Sequence, residues 1–192
     1  MEVADYQPGP AGEASLRPEG GRWTLVLVRD LSRPPAAVWR ALTDPAEIRQ
    51  WAPFDADRDL GRLGQAALAM AGGPTPEALP ATVRRADAPR VLEYTWGEDL
   101  VRWELEPTAS GTRLTLRHTI DDRTWIPKVA AGWHICLDVC DRLLSGDPIG
   151  RIVAAAALLH GWDRLNDEYA AHLGVESLAT DAFPESRAEP GG

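Results

Sequence analysis

The sequence has no long apolar run, almost no lysine and little cysteine, and each shortage removes a class of protein. No stretch of about 18 apolar residues occurs, so no segment reads as a membrane-spanning helix and no membrane insertion is expected. Lys128 is the single lysine, and 20 basic residues stand against 29 acidic ones for a formal charge of −9. Nucleic-acid binding needs a basic surface that releases counterions, so no nucleic acid is expected as a partner. The two cysteines, Cys136 and Cys140, lie four apart in a helical pattern, which is neither a disulfide framework nor a zinc spacing. The opening residues 1–5 are acidic and lead into Pro and Gly, unlike a secretory signal, and a cytoplasmic location is the expectation. There is no phosphate-cradling glycine loop, no Gly-x-Ser-x-Gly elbow and no His-Glu-x-x-His pair, so no cofactor or metal is expected.

What remains is a globular composition, 44% hydrophobic and 26% charged over 192 residues, enough for one domain with a substantial core. Residues 1–21 and 175–192 are dense in Pro, Gly, Glu and Ala and read as disordered tails around a folded part at 22–174. Trp23 to Arg29 is apolar and β-branched on both faces, as in a strand covered on each side. Two short helices follow. Pro34-Pro35 opens the first, with Val38, Ala41 and Leu42 as its buried stripe. Asp44-Pro45-Ala46-Glu47 starts the second, with Asp44 placed to cap and Glu47 to reach back.

Strand patterns then recur to Ile120, at 65–70, 81–85, 91–96, 100–106 and 112–120, separated by short turns that imply antiparallel neighbours. Val101, Trp103 and Leu105 alternate with Arg102, Glu104 and Glu106, and Leu114 and Leu116 with Arg113, Thr115 and Arg117, giving one dry face and one wet face of opposite charges. From about Trp125 to Leu144 the period becomes helical. Trp133, Cys136, Leu137, Cys140 and Leu144 gather on an apolar arc, while His134, Asp138, Asp141 and Arg142 fall opposite as surface pairs. Asp147-Pro148 signals a last helical stretch carrying Leu158, Trp162, Leu165, Tyr169 and Leu173, ended by Gly174. The expected fold is α+β, a curved antiparallel sheet wrapped around a long C-terminal helix.

That order, with Pro35-Ala36-Ala37-Val38-Trp39-Arg40-Ala41-Leu42-Thr43-Asp44-Pro45, Trp51 beyond it, and the segments 131–137, 148–152 and Gly161-Trp162, resembles the START-like or SRPBCC superfamily. Within it the chain is similar to the bacterial proteins that resemble the C-terminal domain of the activator of Hsp90 ATPase. The resemblance implies the helix-grip fold and a cavity between sheet and helix, used by relatives for lipids, sterols, polyketides or other apolar molecules. The alanines of Gln65 to Met70 would leave extra room there unless the eight tryptophans fill it.

His118 alternates with Leu114 and Leu116 and points toward the helix. Its plain reading is a hydrogen-bonded core residue; its sharper one is ligand contact or acid/base work, for which no second group converges. Tyr94, Trp96 and Trp103 offer polar handles on apolar bodies. On a helix wheel His134 lies about 160° from Cys136, which rules out a shared metal or a Cys-His nucleophile and leaves both cysteines as core. Asp55, Asp57 and Asp59 alternate along one strand face, as in a solvated edge or a hard-cation site, and with no neighbouring oxygen ligands identifiable they read as the solvated edge. The expected function is noncatalytic binding of a small, mostly apolar molecule, lined by Trp51, Met70, Tyr94, Trp96, Trp103, His118, Trp133, Cys136 and Cys140. The alternatives are a polyketide cyclase or aromatase using the same cavity, and, from the family resemblance, a cochaperone binding an Hsp90-type ATPase through its surface.

Overall fold

The computed structural model describes residues 5–72 and 78–176. Its strands are β1 (Ala14–Glu19), β2 (Arg22–Leu31), β3 (Phe54–Ala56), β4 (Gly64–Met70), β5 (Ala78–Asp87), β6 (Val91–Trp96), β7 (Asp99–Pro107) and β8 (Thr112–Ile120). They form one antiparallel sheet in the order β1-β2-β8-β7-β6-β5-β4-β3. Two helices, α1 (Pro35–Thr43) and α2 (Pro45–Ile48), follow β2, and the long α3 (Ile126–Ser145) lies against the concave side of the curled sheet. The short α4 (Ala155–Leu159) and then α5 (Trp162–Leu173) complete the described chain, with α5 packed on α3.

Local chemistry accounts for the boundaries. Pro35 presets the first turn of α1, and Pro45 forces Asp44 out of helical geometry, so the two helices cannot merge. Asp44 then caps α2, its Oδ1 accepting from the Ala46 N–H at 2.8 Å. Glu47 does not reach back; it takes the guanidinium of Arg40 instead. Helix α3 stops at Gly146, which adopts φ 82° and returns its N–H to the carbonyls of Arg142 and Leu143.

Strand register sorts the sheet as the alternation predicts. Leu25, His118, Val101, Tyr94 and Val83 stand in one row across β2, β8, β7, β6 and β5. Trp103, Leu105, Leu114 and Leu116 are buried on the same side. On the other face Arg102 meets Glu93 at 3.1 Å and Glu104 at 2.7 Å, and Arg117 meets Glu104 at 3.4 Å. Burial pushes the Glu104 carboxyl up, but its two arginines outweigh that and hold it below the usual carboxylate range.

Two expectations are corrected. Residues 14–19, assigned by composition to a tail, form β1, because β2 presents an open edge and Leu16 pairs opposite Leu25. Asp147-Pro148 starts no helix. The last helical stretch is broken at His160-Gly161, where Gly161 takes φ 77°; the helical register resets there, and Leu158 lies exposed instead of on the buried stripe. The 55–59 run is solvated as expected at Asp57 and Asp59, which are exposed and accept the N–H groups of Ala67 and Gly61, while Asp55 is half-buried and pairs with Arg151 at 2.8 Å. The tail expected at 175–192 lies almost wholly outside the described residues.

Gly111 closes the β7–β8 hairpin in a place no side chain can occupy, since a Cβ would sit 2.1 Å from the Leu31 carbonyl oxygen. Gly111→Ala is therefore expected to cost about 3 kcal/mol in urea unfolding, the upper range for overpacking; a loss below about 0.5 kcal/mol would mean that the hairpin and β2 are not this closely apposed.

Candidate functional site

The concave face converges on aromatic rings. Trp103 reaches in from β7, Tyr94 and Trp96 from β6, His118 from β8, Phe54 from β3, Trp51 from the turn after α2, and Trp133 from α3. They form one connected cluster. Trp133 meets Trp103 edge-on at 5.2 Å between centroids, Trp51 at 6.4 Å and Trp96 at 6.2 Å. Phe54 meets Trp96 at 5.1 Å and Tyr94 at 6.2 Å, both T-shaped, and Trp96 stacks on His118 at 6.0 Å. Such pairs each contribute about 0.5–1.5 kcal/mol beyond the area they bury. Six of the seven rings are at most 3% exposed, and Trp96, at the end of β6, is the half-buried one.

Most polar atoms in this cluster are satisfied from within. Trp51 Nε1 donates to the Ala41 carbonyl at 2.9 Å and Trp103 Nε1 to Tyr94 Oη at 3.1 Å. Trp133 Nε1 donates to His118 Nδ1 at 3.0 Å. An indole N–H is only a donor, so Nδ1 must be the accepting nitrogen and the ring proton sits on Nε2, 2.9 Å from Asp99 Oδ2. Asp99 in turn faces Arg22 at 3.6 Å, and Arg22 pairs with Asp121. Trp96 Nε1 is buried and has no partner among the described residues.

The structure thus brings together Trp51, Tyr94, Trp96, Trp103, His118 and Trp133. Met70 is corrected: it lies at the end of β4, is 40% exposed and makes no part of the ring cluster. Cys136 and Cys140 are buried in α3, where burial pushes the Cys136 thiol up to about 12 and the Cys140 thiol also far up. Both are inert core. Sequence reading missed Phe54 and Asp99. Asp99 was legible in principle, because it stands two residues before Val101 and so shares the dry face of β7.

His134 is also corrected. It is not a surface residue but 1% exposed, because α5 and the segment 5–13 lie over the polar side of α3. His134 Nδ1 lies 2.8 Å from Tyr169 Oη, which also accepts the Gly12 N–H at 3.1 Å. Asp138 receives the Tyr6 hydroxyl at 2.8 Å and faces Arg29 at 3.2 Å. Burial pushes the Asp138 carboxyl up, but the hydrogen bond with His134, the charge of Arg29 and Tyr6 outweigh it and keep it low. Beside it a groove of about 390 Å³ is lined by Tyr6, Asp138, Asp141 and Asp147 among others. A second, of about 380 Å³, lies between α1 and the end of α3. Neither is lined by a ring of the aromatic cluster.

A curled antiparallel sheet gripping one long helix around an apolar center defines the helix-grip class of the START-like, or SRPBCC, superfamily. Residues 32–145, more than half of the chain, match the family described as Activator of Hsp90 ATPase homolog 1-like protein, and the chain belongs to that family. Among solved structures it is similar to CalU16 from Micromonospora echinospora, at 22% identity over 83% of this chain and 94% of that one, with a TM-score of 0.61. A conserved protein of unknown function from Enterococcus faecalis, EF2215, aligns at 20% identity over 83% and 90%, with a TM-score of 0.62. The AHSA1-like protein from Aeromonas hydrophila aligns at 21% over 64% and 92%, with a TM-score of 0.54. These likenesses show the fold. No curated protein matches the chain.

Two measurements follow from these geometries. Long-range ¹H–¹⁵N spectra should place the His118 proton on Nε2 and leave Nδ1 bare; a proton on Nδ1 would mean that the Trp133 indole does not donate there. Asp141, with one buried oxygen lacking a partner, is raised first by burial and then by the charge of Asp138. A folded value above the unfolded one gives stability that is complete below the unfolded range and lost as pH rises through the folded value. Asp141→Asn is therefore expected to raise Tm at pH 7 and to leave it unchanged near pH 3, and a variant equally destabilised at both would contradict this.

Proposed function

We propose that the protein is a noncatalytic binding module that takes a small, mostly apolar molecule into the aromatic cluster between the sheet and α3. The observation that carries this reading is Trp96. It is the one half-buried ring of the seven, it closes the cluster at the end of β6, and its buried N–H has no partner. Buried donors are almost always paired, so an orphan N–H on the outermost ring of an apolar center supports contact with a further molecule at that point. Trp96 packs on Phe54, His118 and Trp133, so a molecule entering the cluster at this end would take the place of its ring against those three.

Binding is favored over catalysis by the same hydrogen bonds. Asp99 supplies a polar partner to His118 that a cyclase reading would need. Yet Trp133 occupies Nδ1 and Asp99 engages Nε2, so neither nitrogen is free to take a proton from a substrate. The family's name suggests a surface role instead, and one observation favors it: α4 carries Leu158 and Leu159 at 37% and 80% exposure, beside exposed Ala155 and Ala156.

The test is native mass spectrometry of the purified protein, followed by titration of the intrinsic tryptophan fluorescence with a panel of apolar probes. Retention of a defined small molecule, or saturable quenching that Trp103→Leu weakens about tenfold or more, is the expected result. An empty protein with no saturable response to any probe would refute the binding reading and move the function to the surface around α4.

A further inference from the structure

The polar atoms of the cluster specify more than apolarity, and what they specify rests on the binding reading above. Tyr94 Oη is used as an acceptor by Trp103, which leaves the phenol's own proton to donate. No acceptor for that proton lies within hydrogen-bond distance among the described residues. Burial, against the opposing Trp103 hydrogen bond, holds the phenol well above its ordinary value, so the proton stays on oxygen. Trp96 Nε1–H is the second donor without an acceptor. Tyr94 and Trp96 are two apart on β6, project from the same face of the strand, and both press a ring edge-on against Phe54. Every other side-chain polar atom of the cluster has a partner: the indoles of Trp51, Trp103 and Trp133 all donate, and both nitrogens of His118 are engaged.

The geometry points to a ligand that is flat, apolar and an acceptor of hydrogen bonds, an aromatic ketone or a similar carbonyl compound, held through its oxygen by Trp96 Nε1–H and Tyr94 Oη–H. A ligand bearing only donors, such as an ammonium, would meet two more donors in a dry site and leave all of them unsatisfied. A bare hydrocarbon would make the same apolar contacts but leave both protein donors orphaned. The site therefore discriminates by the presence of an oxygen acceptor, and Trp96 closes over the bound molecule as it makes its bond.

A matched pair of probes separates this inference from the reading beneath it. Fluorene and 9-fluorenone share one tricyclic skeleton and differ by a single carbonyl. Binding of each to the full chain is measured by calorimetry, with the indole N–H resonances followed in parallel. Fluorenone is expected to bind about tenfold more tightly than fluorene, the worth of one hydrogen bond in a desolvated site, and to shift the Trp96 indole proton downfield where fluorene does not. Trp96→Phe, which keeps a ring and removes the donor, is expected to reduce the fluorenone-over-fluorene preference to within about twofold, whatever it does to the affinity for fluorene itself. Equal affinity of the two probes in the wild type would overturn the acceptor rule and leave the binding reading standing. A tenfold preference that persists in Trp96→Phe with no shift of the wild-type Trp96 resonance would overturn the assignment to this donor. Failure of both probes to bind would overturn the inference, whereas the reading it rests on falls only if no probe of the wider panel binds.

Discussion

Trp133 is the point at which α3 is tied to the sheet, and the tie depends on one hydrogen bond. A tryptophan driven into an apolar center brings an N–H that must be met. Here it is met by His118 Nδ1, which is free to accept only because Nε2 is turned to Asp99. That arrangement depends on strand register. His118 stands opposite Val101, and Asp99, two residues earlier on β7, falls on the same face beside it. A shift of β7 against β8 by one residue would turn Asp99 outward and leave both the imidazole and the indole with unmet groups in the interior. The packing of the helix is thus conditional on the pairing of two strands, and the aromatic cluster is conditional on both.

Helix α3 is unusual in being covered on its polar side as well. The family match runs over residues 32–145, whereas the elements that close over His134 and Asp138 come from outside that stretch, from residues 5–13 and from α5. The cover is polar because what it covers is polar. Glu168 accepts the Ala11 N–H at 2.7 Å, Arg164 reaches the Pro8 carbonyl at 2.7 Å, and His160 Nδ1 lies 3.0 Å from the Tyr6 carbonyl oxygen. Buried networks of this kind add less net stability than apolar packing of equal area, but they accept only one arrangement of their members. The N-terminal segment is therefore fixed in position on the helix pair, not merely adherent to it.

Much of this was legible in the sequence, and the failures have definite causes. The apolar alternation of β7 and β8, the proline-punctuated α1 and α2 and the glycine stop of α3 are local signals, and they placed the helix-grip elements and six of the clustered rings. His134 and Asp138 were misread because a charged helical arc looks the same whether water or a second polar layer faces it. Only the tertiary arrangement of Tyr6, Gly12 and Tyr169 decides between them. Met70 was misplaced for a related reason: its face on β4 was evident, but its distance from the end of the sheet was not, and a residue at a strand's end is open to solvent on either face. β1 was lost because a strand of six residues containing Pro18 pairs only when an existing edge awaits it, and composition carries no information about edges.

Those edges also bear on how the protein behaves when crowded. An eight-stranded sheet that does not close has two open borders, each a template for another chain. At one border stands β3, three residues long, too short to seed an extended ladder. At the other stands β1, in which Pro18 has no N–H to offer and Arg17 and Glu19 place charge on either side of it. Both borders discourage strand addition, so a second copy has no ready path to extend the sheet, and the apolar center is guarded against aggregation at its rims as well as by its packing.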